Sequence, residues 1–139
     1  MREYKYFTQD GTTMNGAIHV GACRGEEIFR YERLGTKQVV WIEPDPGVFK
    51  ELQVALTNSG VTLNSHAFCC AASDTDKDAV DFNIYYGPDA GYMRGNKGCS
   101  SLLKAKGRFE AWYQDTIKVE SVRLDTLLEE NDFNFSDFD

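Results

Sequence analysis

The run GAIHVGACRGEEIFRYERLGTKQVVWIEPDP, from Gly16 to Pro46, reads as a strand, a glycine turn, a helix and a second strand closed by an acid. Ile18 and Val20 carry an apolar strand to Gly21-Ala22-Cys23-Arg24-Gly25. Glu26 and Glu27 open a helical stretch bearing Ile28, Phe29 and Leu34, and Gln38 to Ile42 is a second apolar run that ends at Glu43. Glycine has no side chain and tolerates positive φ, so such a turn lets backbone approach a ligand closely. An acid about twenty residues beyond the turn stands where a β-α-β unit accepts hydrogen bonds from ribose hydroxyls. The pattern predicts a nucleoside-cofactor site, against the plainer reading of an ordinary strand-to-helix turn.

Spacing then bears on which cofactor. Dinucleotide folds commonly use G-x-G-x-x-G, whose second glycine admits the backbone to a pyrophosphate at a helix N-terminus. Here that position is Ala22 and the pattern is G-x-x-x-G. Glu26 and Glu27 suit a helix dipole but repel a pyrophosphate placed beside them, so a cationic sulfonium cofactor fits better.

Past Glu43 the chain keeps an alternating rhythm. Val48, Phe49, Leu52, Ala55 and Leu56 recur at helical spacing after Pro46, and Asn58-Ser59-Gly60 supplies the stop. Val61 to Ala72 reads as a third strand, with Ser73-Asp74 at its carboxyl end, where open α/β sheets bind ligands. Asp74 either meets an adenine amino group there or belongs to a polar turn. Val80, Phe82 and Ile84 alternate with Asp81, Asn83 and Tyr85, and Ile117, Val119 and Ser121 repeat the pattern, as in a hairpin arm. Between them Gly87 to Gly98 is too rich in glycine for a regular element and reads either as a lid that brings Tyr92, Met93 and Arg94 to a substrate or as a disordered loop. Asp125 directly precedes a short helical pattern and reads as a cap for its first turn.

Four pieces of the chain resemble, in order, the FkbM family of S-adenosylmethionine-dependent methyltransferases. Ala17 to Pro46 looks like the family's opening, Ala71-Ala72-Ser73-Asp74 like its third segment, and Ser100-Ser101-Leu102-Leu103 like its serine-leucine stretch. Val122-Arg123-Leu124-Asp125-Thr126-Leu127 is similar to its valine-x-leucine-aspartate-x-leucine stretch. The resemblance implies a class I methyltransferase fold: a Rossmann-like three-layer α/β sandwich with a central, mostly parallel sheet. It further implies S-adenosylmethionine as cofactor and O-methylation of a sugar, glycan or small metabolite. Carried onto this chain, Gly21, Ala22 and Gly25 shape the turn, Glu43 holds the ribose and Asp74 approaches the adenine. His19 stands near the cofactor where many members have an acid. The resemblance also implies that the fourth central strand lies past Asp139. The 139 residues alone are then expected to form an incomplete, inactive domain with β-strand edges open around Ile18 and Val20.

On this reading residues 1–139 are one partial domain. It divides into an N-terminal segment (1–15), cofactor-binding β/α units (16–78), a β-rich insertion with the glycine-rich loop (79–122), and a short helix with the start of the next strand (123–139). The formal net charge of −7 argues against partners that need a basic face, nucleic acid and anionic membranes among them. No apolar run approaches the roughly twenty residues that span a bilayer, and Met1-Arg2-Glu3-Tyr4-Lys5 opens no signal core, so a cytoplasmic location is expected. The four cysteines form no C-x-x-C pair, and with only His19 and His66 beside them a metal site is not expected. Adjacent Cys69 and Cys70 point to opposite faces of a strand, so at least one packs in the core. No residue is a convincing general base, and catalytic residues are left unassigned. Two alternatives stand beside the methyltransferase reading: a nicotinamide-dependent oxidoreductase and a non-catalytic remnant or interaction module.

Overall fold

A computed structural model describes residues 13–86, 100–107, 110 and 113–139. The expected lid from Gly87 to Gly98 lies outside the described residues. The elements run β1 (Gly16–Val20), α1 (Ile28–Arg33), β2 (Gln38–Ile42), α2 (Pro46–Asn58), β3 (Asn64–Phe68), β4 (Ala71–Ala72), β5 (Lys77–Tyr86), β6 (Tyr113–Val122) and α3 (Leu124–Glu130). A single 3-10 turn, Phe135–Asp137, follows. The chain is thus a mixed α/β protein with two three-stranded sheets, ordered β1-β2-β3 and β4-β6-β5.

The first sheet is parallel throughout, in the register Ile18↔Val40↔His66. Its central strand β2 is apolar at nearly every position because both faces are covered, as parallel strands usually are. Side chains alternate across the sheet. Val39 and Trp41 enter a cluster with Ala22, Ile28, Leu52 and Leu63, beneath α1 and α2. Val40 and Ile42 enter another with Val122, Leu127 and Leu128, beneath α3. Helices therefore cover both faces of the parallel sheet. β1 ends the strand order, and at its start the Asp139 amide donates to the Gly16 carbonyl (3.1 Å).

α2 begins where proline serves best, at the first helical position, and Asp45 caps it by accepting from the Gly47 and Val48 amides. Its bounds agree with the apolar spacing read from the sequence.

The expected third strand, Val61 to Ala72, divides in two. Asn64–Phe68 pairs with β2, whereas Ala71–Ala72 leaves that sheet and pairs with β6. The stretch Ala67 to Ala72 is apolar across the break, with Cys70 in the α3-side cluster and Ala71 in the cluster of the second sheet. A change of strand partner does not interrupt hydrophobicity, so it left no mark in the pattern.

The hairpin expectation is met by β5 and β6, antiparallel in the register Phe82↔Ile117. Yet Asn83 and Tyr85, read as the outward face, are as buried as Phe82 and Ile84. A strip at residues 100–105 covers them, joined by an antiparallel bridge between Asn83 and Ser101. Asp125 stands inside the first turn of α3, two residues past the cap position, which Arg123 occupies. It accepts from the Thr126 amide (3.0 Å) and pairs with Arg123. The helix start is tied from a distance by Asp76, which accepts from the Arg123 amide (2.8 Å) and the Thr126 hydroxyl (3.1 Å).

Candidate functional site

A cleft of about 580 Å³ opens where β1 and β2 end and the second sheet begins. Val20, Gly21 and Cys23 line it from the first turn, Ile42, Glu43 and Asp45 from the second, and Ala71 to Asp74 from β4 and the bend after it. Its volume lies in the range of small-molecule sites. The described residues that line it include three carboxylates and no basic side chain.

The turn is built by hydrogen bonding to the neighbouring strand. The Gly21 and Ala22 amides both donate to the Ile42 carbonyl (2.9 and 3.0 Å), drawing the turn over the end of β2. Gly21 has φ +75°, and a Cβ placed there would meet no atom within 4 Å. That space faces the cleft, so the position is both left-handed and open to a ligand. Cys23 also lies in the left-handed region, at φ 49°, where a non-glycine residue is disfavoured. Glu43 supports this conformation: its Oε2 accepts from the Cys23 amide at 2.9 Å, and its Oε1 accepts from the Asp45 amide at 2.9 Å. Glu43 is only 7 % exposed, so the two bonds lock its carboxylate at the base of the cleft.

The structure thus brings Gly21, Glu43 and Asp74 to one cleft and places the other expected residues elsewhere. Ala22 is fully buried in the α1–α2 cluster beneath the turn. Gly25 has φ +79°, which a side chain rarely adopts, and a Cβ there would press on the ends of the buried Ile28 and Leu52 side chains at 2.7 and 2.9 Å. It serves helix packing. His19 faces the helices, with Nδ1 3.0 Å from the Tyr31 hydroxyl and its ring stacked on Trp41. Burial lowers its pKa, partly offset by Glu27 and Glu26. Asp74 is exposed at the rim, where the Ser73 hydroxyl donates to its carboxylate (3.3 Å).

The histidine nearest Cys23 in sequence, His19, is engaged with Tyr31 and Trp41 rather than placed to activate the thiol. Burial and the charge of Glu26 push the thiol's pKa up, which keeps it protonated and a poor nucleophile. Among the described residues no group of three or more His, Cys, Asp or Glu side chains is placed to hold a metal ion.

Sequence reasoning missed two parts of the cleft. Asp45 lines it while capping α2, a duty legible from its place before Pro46. Phe82 and the strip Ser100–Leu103 form its far wall. The strip had stood out only as a resemblance, with no local pattern to show that it folds back onto β5.

The family model for the methyltransferase FkbM domain matches residues 19–139. The chain belongs to the FkbM methyltransferase family. The match takes in the glycine turn, Glu43, Asp74 and the far wall, so the whole cleft lies within this methyltransferase domain. No curated protein and no solved structure gives a significant match to the chain. No helix among the described residues is long and apolar enough to cross a membrane.

Proposed function

We propose that this FkbM methyltransferase domain binds S-adenosylmethionine in the cleft and serves O-methylation of a sugar, glycan or small metabolite. Glu43 carries the reading: a buried carboxylate at the end of β2 that lines the cleft and is hydrogen-bonded to the glycine turn, where an acid in a β-α-β unit meets a ribose diol. The acidic lining favours a cationic ligand over the pyrophosphate of a dinucleotide. Parallel strands flanked by helices on both faces agree with a class I, Rossmann-like arrangement in which ligands sit beyond the carboxyl ends of the strands.

When bound, S-adenosylmethionine supplies an electrophilic methyl group on a sulfonium centre. Gly21 leaves open space for its amino-acid part, Glu43 orients the ribose, and Ser73 and Asp74 stand where the base is read. Holding the donor in one orientation is the main service such a cleft gives to an in-line displacement.

Calorimetry with S-adenosylmethionine, its demethylated product and NAD tests the proposal. The first two are expected to bind and NAD is not. Glu43→Ala is expected to weaken binding about tenfold to a hundredfold, as follows from losing a charged hydrogen bond of about 1.5 to 3 kcal/mol. Preference for NAD, or an unchanged affinity in the variant, overturns it.

A further inference from the structure

Charge is spread unevenly along this chain. From Met93 to Phe109 the sequence holds five of its 15 lysines and arginines and none of its 22 acids. The strip that forms the far wall of the cleft belongs to this run, and its Lys104 and Lys106 are both exposed. Neither forms an ion pair with another described residue. Lys118, on β6, is instead held by Asp81 of β5 at 2.6 Å. The Asp81 carboxyl is kept below its ordinary pKa first by that Lys118 bond and further by the charge of Lys104, so one acid faces two lysines. The patch keeps an excess of positive charge.

Lys104 also leaves the backbone at a fixed point. Asn83 and Tyr85 on β5 are 4 % and 3 % exposed, although the strand pattern calls for solvent-facing residues there. Asn83 Nδ2 donates to the Ser101 and Leu102 carbonyls (3.2 and 3.4 Å), while its Oδ1 accepts from the Thr116 hydroxyl (3.3 Å). The Tyr85 amide donates to Ser100 Oγ (3.3 Å), and the Leu103 amide to Ser101 Oγ (3.1 Å). The Tyr85 hydroxyl donates to the Leu103 carbonyl (3.1 Å) and accepts from the Ala105 amide. One buried hydroxyl thus pins the backbone on both sides of Lys104. Leu103, the residue before it, lines the cleft and is 77 % exposed. The wall offers apolar surface with a cation next to it.

The cleft itself is opposite in sign, with Glu43, Asp45 and Asp74 in its lining and no basic side chain among the described residues there. A donor with a sulfonium, an ammonium and one carboxylate is a net cation and suits that lining. Its carboxylate belongs to the amino-acid part at the glycine turn, across the cleft from the strip. The lysines therefore suit the other reactant. We infer that the methyl acceptor is an anion, a sugar or small metabolite carrying a phosphate or carboxylate, which Lys104 holds by that group while Leu103 lies against its apolar face. Lys106 adds to the field. A charge-assisted bond at one end of the acceptor limits how its hydroxyl can turn toward the donor. This inference rests on the donor reading of the cleft.

The test titrates the full chain with glucose and with glucose 6-phosphate, with and without S-adenosylhomocysteine, and follows the backbone amides of residues 100–107 by NMR. Glucose 6-phosphate is expected to shift the amides of Leu103 to Lys106 and glucose to leave them in place, with the effect fading as salt is added. Lys104→Gln is expected to weaken glucose 6-phosphate binding about threefold to tenfold, and Lys104→Arg to retain it. Neither variant is expected to change the affinity for S-adenosylhomocysteine. Equal shifts by both sugars, or none by either, overturn the assignment, as does a loss of S-adenosylhomocysteine binding in Lys104→Gln. Binding to vesicles of phosphatidylserine and phosphatidylcholine that Lys104→Gln abolishes, without discrimination between the sugars, makes the patch a membrane contact and overturns it too. A parent chain that responds to glucose 6-phosphate but binds no S-adenosylhomocysteine overturns the donor reading instead, and leaves the lysines an anion site without a methyl donor.

Discussion

The two halves of this domain place their functional groups by different means. In the parallel half, the cleft is shaped by backbone: a left-handed Gly21, a left-handed Cys23 held by Glu43, and amides drawn onto the Ile42 carbonyl. In the hairpin half, it is shaped by side chains, with Asn83 and Tyr85 gripping a strip that lies 15 to 20 residues away in sequence. Backbone placement follows from glycines and strand ends, which are local signals. Side-chain placement depends on what folds over the strand, and alternation does not record it.

The comparison breaks most readily at Gly25. If the first half depends on backbone geometry, a side chain at that left-handed position must fail twice, by clash with Ile28 and Leu52 and by its φ of +79°. Gly25→Val is expected to cost about 3 kcal/mol or more, since overpacking costs about 1 to 3 and a left-handed L-residue about 1 to 2. Urea unfolding measures this. A loss below about 1 kcal/mol means that the turn and α1 shift freely, and the claim of a rigid backbone frame fails.

Glu43→Gln comes next in size. The amide keeps one carbonyl acceptor but turns its NH2 toward one of the two backbone amides now bound, at Cys23 or Asp45. The expected cost is about 2 kcal/mol of stability, as for charged hydrogen bonds in a buried place. Amide hydrogen exchange at Cys23 is expected to quicken with it. Unchanged exchange there separates the acid from the turn and leaves ligand binding as its sole duty.

These variants also mark what was legible beforehand. The glycine turn, both strands around it, α2 with its stop, and Glu43 were all readable because each depends on neighbours within about twenty residues. Gly25 was read as a cofactor residue from its place in the turn, whereas its contacts with Ile28 and Leu52 come from helices that the turn itself does not reveal. His19 was grouped with the site from its place near the turn, but strand alternation turns it toward Tyr31 and Trp41. The break between β3 and β4 and the folding of Ser100–Leu103 onto β5 are long-range pairings, and composition carried no trace of them.

For the hairpin half, Asn83→Ala is expected to cost about 1 to 3 kcal/mol, because two carbonyls and the Thr116 hydroxyl lose a buried partner. The strip is expected to loosen before the sheet does, so proteolytic cleavage near residues 100–105 is expected to rise while β5 and β6 stay paired. Cleavage at the parent rate means that backbone pairing between Asn83 and Ser101 suffices to hold the strip, which erases the contrast between the halves.

The smallest expected effect concerns the exposed junction where β6 enters α3. Asp125 pairs with the Arg123 guanidinium, and that hydrogen bond holds its carboxyl down to about 2, below the ordinary carboxylate range. A carboxyl whose pKa is lower folded than unfolded binds protons more readily in the unfolded chain, so its contribution is complete above the unfolded value of about 3.9. It is lost as pH falls from there toward about 2, the direction opposite to that of a histidine gaining an anionic partner. Both side chains are solvent-exposed, and solvent screening keeps the contribution small. Asp125→Asn is expected to lower stability slightly at neutral pH and to flatten the decline between about pH 5 and pH 2, converging on the parent at the acid end. Urea unfolding at half-unit pH steps reads the difference. Parallel curves for parent and variant across that window mean that the pair exists equally in the unfolded chain, where only Leu124 separates its partners. The junction would then rest on Asp76 alone, which reaches the Arg123 amide and the Thr126 hydroxyl from the far side of the hairpin.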